Sequence, residues 1–246
     1  MPIRAVIFDL DGTLLKTEML KAISYARAAV ELCPYSLDEA TVIEAFKDVV
    51  GLSRQEVAEK LVARFDLAEK AEARMAEFGV STAWQAYVQL RLNIYDAMLE
   101  DPNVILNNQW AHNVDLLNFA REKTCITALA TMSYREQVNK ILNILGWQDK
   151  FTFIATRDDV EHGKPDPEIY ALVSRQIGIP PERCLVIEDS AVGVQAAQAA
   201  GMHVIAVTTD FTRDQLHGMD SLDKRWLVDD PTTLMEVVEL CFNAVR

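Results

Sequence analysis

Ala5-Val-Ile-Phe-Asp-Leu-Asp-Gly-Thr-Leu14 sets two carboxylates, Asp9 and Asp11, at the end of a short apolar run, and Gly12 follows at once. An apolar run of this length, bounded by a turn signal, reads as a strand buried on both faces. Such a strand delivers its terminal acids to the rim of a sheet, where open α/β folds bind their ligands. Carboxylates placed there hold a hard cation such as Mg²⁺, attack an electrophile, or do both. Two solvated acids in a turn are the plain alternative, and the rest of the chain decides between them.

Downstream, residues 17 to about 100 read as helix after helix, rich in Ala, Leu, Glu, Lys, Gln and Arg. Ser53-Arg-Gln-Glu56 fits a capping box. A break falls at Gly79-Val-Ser81, the helical run ends near Glu100-Asp-Pro102, and another helix is expected over about 107–123. The character then changes. Strands are expected at Cys125–Ala130, Phe151–Ile154, Cys184–Ile187, His203–Val207 and Trp226–Val228, with helices between them. Ser133-Tyr-Arg-Glu136 reads as a second capping box, and Asp230-Pro231 as the start of the last helix.

Strands alternating with helices imply βαβ units and a doubly wound, mainly parallel sheet, a Rossmann-like α/β core. The first strand is cut off from the others by the helical block. The expected layout is therefore a core of residues 1–16 and 105–246 with an α-helical cap domain, 17–104, inserted at the sheet edge.

The 246 residues carry a net charge of −13, which argues against a nucleic-acid or anionic-membrane surface. Cys33, Cys125, Cys184 and Cys241 are scattered, with no zinc spacing, and Cys125 and Cys184 are expected as buried strand thiols. The N-terminus shows no basic, apolar, cleavable leader, and no stretch is apolar enough to span a bilayer. A cytoplasmic protein, monomer or weak homodimer, is expected.

The polar residues fall at related places. Asp9 and Asp11 follow the first strand, Thr131 and Ser133 the second, Lys164 the third, and Glu188 and Asp189 the fourth. A parallel sheet brings all of these strand ends to one rim. Each residue has a plain reading alone: a strand-end hydroxyl, a helix cap, a solvated lysine, a charged helix start. Together they suit phosphoryl transfer. A carboxylate must approach a phosphate dianion, and a cation held by Asp9, Asp189 and the Asp11 carbonyl screens the repulsion. Lys164 is expected to lower the pKa of Asp9 and to neutralise phosphate oxygens. Thr131 and the N-terminus of the Ser133 helix are expected to bind the transferring group, leaving Asp11 as acid and then base.

Asp9-Leu-Asp-Gly-Thr13, the strand-end Thr131, Gly163-Lys-Pro-Asp-Pro167, and Glu188-Asp-Ser190 with the Ala-Gly-Met turn ending at Met202 resemble the four motifs of the haloacid dehalogenase superfamily. The likeness is to its helical-cap phosphatase and β-phosphoglucomutase-like branch, and it covers nearly the whole chain. It implies Asp9 as the nucleophile that forms an aspartyl-phosphate and Asp11 as acid/base. It implies Thr131 and Lys164 as phosphate-binding groups, and Asp9, Asp11, Glu188 and Asp189 as the Mg²⁺ side. Gly12, Thr13, Met132 and Ser133 are expected on the substrate side.

Three positions depart from the pattern. Lys16 replaces a common acid, Asn107-Asn-Gln-Trp-Ala111 lacks the usual Pro-Gly entry, and Met132 replaces a small or amide residue and narrows the pocket. Val50-Gly-Leu-Ser-Arg-Gln55 resembles the specificity loop of that branch. Arg54 would there hold a second anionic or polar group; its plain reading is a first-turn residue of a capped helix. Lys21, early in the first cap helix, is placed to face the active site; its plain reading is a solvated helix lysine. The leading expectation is a Mg²⁺-dependent phosphatase of a small phosphorylated metabolite, foremost a sugar phosphate. A phosphosugar mutase of the β-phosphoglucomutase kind is the alternative. A dehalogenase needs no acid at Asp11, and Arg54 is a poor substitute for the cap-loop lysine of phosphonatases. A silent binding module on the same fold has no residue in its favour.

Overall fold

The computed structural model describes residues 2–245. Ala5–Phe8 (β1) is fully buried along its length. It is joined by Ile126–Ala130 (β2), Phe153–Ala155 (β3), Cys184–Glu188 (β4), His203–Val207 (β5) and Leu227–Val228 (β6). The strands form one sheet in the order β3-β2-β1-β4-β5-β6, with every pairing parallel.

Side chains alternate across the sheet. Ala5, Ile7, Ala128, Ala130, Val186 and Ala206 face one core, shared with Ile169, Tyr170, Val173 and Val194. Val6, Phe8, Leu129, Leu185, Ile187 and Ile205 take the alternate positions and are buried as well. Apolar burial on both faces is why these strands read as continuous hydrophobic runs. β1 continues to β2 and β3 on one side, while β4, β5 and β6 lie on the other. The order reverses beside β1, and the crevice at the strand ends there is where such sheets bind ligands.

The chain divides into two compact units, Met1–Lys16 with Ile105–Arg246, and Thr17–Val104. The second is helical, built chiefly from Thr17–Leu32, Glu39–Phe46, Arg54–Arg64 and Ala83–Met98. Its core gathers Tyr25, Phe46, Leu61 and Tyr87, and the Tyr87 hydroxyl donates to the Tyr25 carbonyl at 2.8 Å. Ser53 and Glu56 form both halves of a capping box, with Arg54 opening the helix behind it.

Three local expectations are corrected. The helix expected over 107–123 begins only at Ala111, because the preceding residues pair with the segment after β1: Lys16 N donates to the Asn108 carbonyl at 2.7 Å, and Trp110 N to that of Leu14 at 2.9 Å. Ser133 does not cap the next helix. That helix spans Arg135–Leu145 with Tyr134 at its N-cap position and no side-chain cap, since the Ser133 hydroxyl donates elsewhere. Cys125 lies outside β2 and is only half-buried, because β2 starts one residue later, whereas Cys184 is buried in β4.

Candidate active site

Asp9 continues the line of β1, its backbone N–H donating to the Ile187 carbonyl of β4 at 3.0 Å. The register pairs Phe8 with Ile187 and so sets Asp9 beside Glu188. Asp9 is 6% exposed, and its Oδ1 accepts Lys164 Nζ at 2.7 Å. Lys164 arrives on the loop after β3, with a side chain 4% exposed. Its other two N–H groups go to Glu188 Oε1 at 2.6 Å and to the Ala130 carbonyl at 3.0 Å. An ammonium has three donors, and all three are used inside the protein.

Glu188 is saturated. Oε1 accepts from Lys164 and from the Tyr170 hydroxyl at 2.8 Å. Oε2 accepts the N–H groups of Asp189 and Ser190 and the Ser190 hydroxyl at 3.0–3.1 Å. The expectation that Glu188 ligates a metal is therefore replaced: its lone pairs already serve the lysine and the turn after β4.

This unequal supply of donors sorts the acids. Burial pushes the Glu188 carboxyl up, but Lys164, Tyr170 and the Ser190 N–H hold it below the usual range. Asp9 has Lys164 as its strong donor. Burial, reinforced by repulsion from Glu188 and Asp11, overrides that lysine and pushes its pKa up to about 7. The expected lowering by Lys164 is thus reversed in the protein alone. Burial works against the Lys164 ammonium too, yet Asp9 and Glu188 hold it charged.

Asp11 sits in the tight loop after Asp9. Leu14 N and Leu15 N both donate to the Leu10 carbonyl, and Gly12 N donates to Leu15 at 2.7 Å. Gly12 has φ +85°, and a Cβ there would lie 2.0 Å from Asp189 Oδ2. Both facts require glycine, so Gly12 makes room for an acid. Thr13 is fully buried and donates to Asp189 Oδ1 at 2.9 Å. It braces Asp189 and has no surface to offer a substrate, against expectation.

The loop after β2 has its own order. Thr131 Oγ1 accepts the Ser133 N–H at 3.1 Å, and the Ser133 hydroxyl donates to Asp11 Oδ2. Ser133 therefore orients Asp11. Met132 packs on Gly163, where a Cβ would come within 2.9 Å of its Cε. The Arg135 N–H at the start of the next helix is taken by Asp158 Oδ2 at 2.8 Å. That helix end is occupied by an acid of the chain, which weakens the expectation of an anion site there.

Among the described residues, no three His, Cys, Asp or Glu side chains form a preformed metal cage. The donor set nevertheless suits a hard cation. Buried carboxylates outnumber the one lysine among them, and a divalent ion would offset what raises Asp9, its burial first and then repulsion from Glu188 and Asp11.

Arg54 and Lys21 belong to the helical unit, Arg54 opening the Arg54–Arg64 helix and Lys21 standing fifth in Thr17–Leu32. That unit holds a residue the sequence reading passed over. Arg91 is 4% exposed, its guanidinium lies 4.8 Å from the ring centres of both Tyr25 and Tyr95, and its Nε has no hydrogen-bond partner among the described residues. The available signal was an arginine four residues before a tyrosine on an otherwise apolar helical stripe.

The chain matches the family model of haloacid dehalogenase-like hydrolases over residues 3–201. It is 29% identical over 202 residues to a phosphorylated carbohydrates phosphatase of Thermotoga maritima, spanning 82% of this chain and 83% of that one. It is 31% identical over 204 residues to the bifunctional riboflavin kinase/FMN phosphatase of Arabidopsis thaliana, spanning 82% of this chain and 48% of the relative. The crystal structure of a HAD hydrolase of family IA, variant 3, from Entamoeba histolytica has the same fold. Its TM-score is 0.71 over 97% of this chain and 99% of that one, at 22% identity.

Proposed function

We propose that this chain, which belongs to the haloacid dehalogenase-like hydrolases, is a Mg²⁺-dependent phosphatase of small phosphorylated metabolites, foremost a sugar phosphate, working through a phosphorylated Asp9. It is a phosphoric monoester hydrolase by family and by its phosphatase relatives. The observation that carries the finer reading is the buried Lys164–Asp9 pair at the reversal of strand order, with Asp11 held by Ser133 in the next turn.

In the first half-reaction an Asp9 carboxylate oxygen attacks phosphorus, and the bond from phosphorus to the ester oxygen breaks. Asp11, protonated, passes its proton to that oxygen and the alcohol leaves. In the second half-reaction Asp11, now a carboxylate, takes a proton from water. The water oxygen attacks phosphorus, the acyl-phosphate bond breaks, and inorganic phosphate departs with Asp9 restored. Lys164 keeps Asp9 oriented and offsets its charge; its donors are directed at the protein, so its service to the phosphate is electrostatic. Phosphatases of this superfamily generally use a divalent metal. Asp9, Asp189 and the Asp11 carbonyl would hold Mg²⁺, which when bound supplies the positive charge that lets two anions meet.

The sugar-phosphate reading draws support from the phosphatase of phosphorylated carbohydrates among the relatives. Arg54 and Lys21 are proposed as further contacts to the substrate. The two phosphatase relatives favour release to water over return of the phosphoryl group to a sugar.

The test is turnover of an aryl phosphate and a panel of sugar phosphates, with Mg²⁺ and with EDTA. Mg²⁺-dependent phosphate release, lost in Asp9→Asn, is expected. Equal release by Asp9→Asn and wild type would refute the reading.

A further inference from the structure

We infer that Tyr170 is a positioning residue: it fixes the Glu188 carboxylate and, through it, the Lys164 ammonium that meets Asp9. Its kinetic consequence rests on the phosphatase reading above; its structural half does not.

Tyr170 lies on the Glu168–Ile177 helix and is fully buried in the apolar core with Ile7, Ala130 and Val186. Phenylalanine would fill that place without a polar atom to satisfy. A buried tyrosine hydroxyl needs a partner, and this one donates to Glu188 Oε1 at 2.8 Å. The same oxygen accepts Lys164 Nζ at 2.6 Å, and Nζ lies 5.0 Å from the centre of the Tyr170 ring. Hydroxyl and ring thus act on one ammonium, the first by holding its acceptor and the second by facing its charge.

The three acceptors of Lys164 differ in how they are held. The Ala130 carbonyl is fixed by the backbone of β2, while Asp9 and Glu188 both reach Lys164 through their side chains. Of these two, Glu188 is the one Tyr170 touches. Its Oε2 is anchored by the turn after β4, while the other protein donor to Oε1 is Tyr170. A lysine stem is flexible, and its head goes where its acceptors are. Without the phenol, Oε1 is free to turn about the anchored Oε2, and the ammonium turns with it away from Asp9.

Tyr170→Phe keeps the ring and removes the hydroxyl. It is expected to lower kcat on a sugar phosphate about tenfold, as a small misplacement at a reacting group does, with KM changed by less than about twofold. In a Glu188→Gln background, the same change is expected to cost less than about twofold further, because both substitutions break one link. Unchanged kcat in folded Tyr170→Phe, or losses that multiply in the double variant, would overturn the inference. If Glu188→Gln does not fold, Tyr170→Leu replaces it. Loss of ring and hydroxyl together should lower kcat further than Phe does, and a drop no larger than that of Phe overturns the role given to the ring. Urea denaturation midpoints of Tyr170→Phe, Glu188→Gln and the double variant test the Tyr170–Glu188 link without any substrate. Non-additive midpoints support the link and additive ones overturn it. Wild type without phosphatase activity but with non-additive midpoints would count against the phosphatase reading alone.

Discussion

A β-carbon on Gly193 would stand 1.9 Å from Oε1 of Glu188. The carboxylate cannot step aside, since Lys164, Tyr170, Ser190 and the Asp189 N–H all hold it in a buried place. Gly193 is therefore the space in which the charge pair is built. Ordinarily Gly→Ala inside a helix gains about 1 kcal/mol. Here the sign should reverse: Gly193→Ala should destabilise by about 2–4 kcal/mol, because a buried ion pair is disrupted, and should remove most activity. Urea melts check this, and a variant as stable as wild type would show that Glu188 is not pinned.

The pKa of Asp9 shapes stability against pH. Its carboxyl moves from the ordinary 3.8 up to about 7 in the folded chain. The folded state then keeps a proton that the unfolded chain releases, so stability is greatest at the acid end of that interval and is lost as pH rises through about 7. In EDTA, the melting temperature should fall between about pH 5 and about pH 8, at roughly 2–4 °C per kcal/mol for a chain of this size. Mg²⁺ should flatten the slope. A melting temperature that rises over this range in EDTA contradicts the assignment.

Asp9→Asn should separate activity from stability. It removes an acid that burial, Glu188 and Asp11 all disfavour when ionised. At about pH 8 the variant should melt at or above the wild-type temperature, while turnover falls at least about 10³-fold, since a covalent step is lost. A marked loss of stability with residual turnover near wild type would argue that Asp9 is structural.

Asp11→Asn should slow esters with poor leaving groups more than esters with good ones, because only the former need the proton. Steady-state kcat over a series of aryl and alkyl phosphates measures the difference. Equal losses across the series would remove Asp11 from the acid role. Ser133→Ala, which frees the Asp11 carboxylate from its hydroxyl donor, should give a weaker version of the same pattern.

Local signals carried much of the architecture. The apolar run before Asp9 showed β1, and the alternation of strands and helices showed the parallel sheet, because both depend on residues near in sequence. Convergence of Asp9, Thr131, Lys164 and Glu188 followed from strand ends sharing a rim. Partner choice did not follow, since it is settled by contacts far apart in sequence. Ser133 looked like a cap by spacing, but its hydroxyl is taken by Asp11, 122 residues away. Glu188 looked like a metal ligand by neighbourhood, but Lys164 and Tyr170 claim it first. Lys164 alone would keep Asp9 ionised, but burial and two neighbouring acids outweigh it.

The most direct measurement is rapid acid quench of the enzyme mixed with ³²P-labelled substrate in Mg²⁺, followed by mapping of the labelled peptide. A label that forms on Asp9 and decays at the rate of turnover is the predicted result. An active enzyme that never carries the label, and inverts stereochemistry at phosphorus as a single displacement by water must, would contradict it.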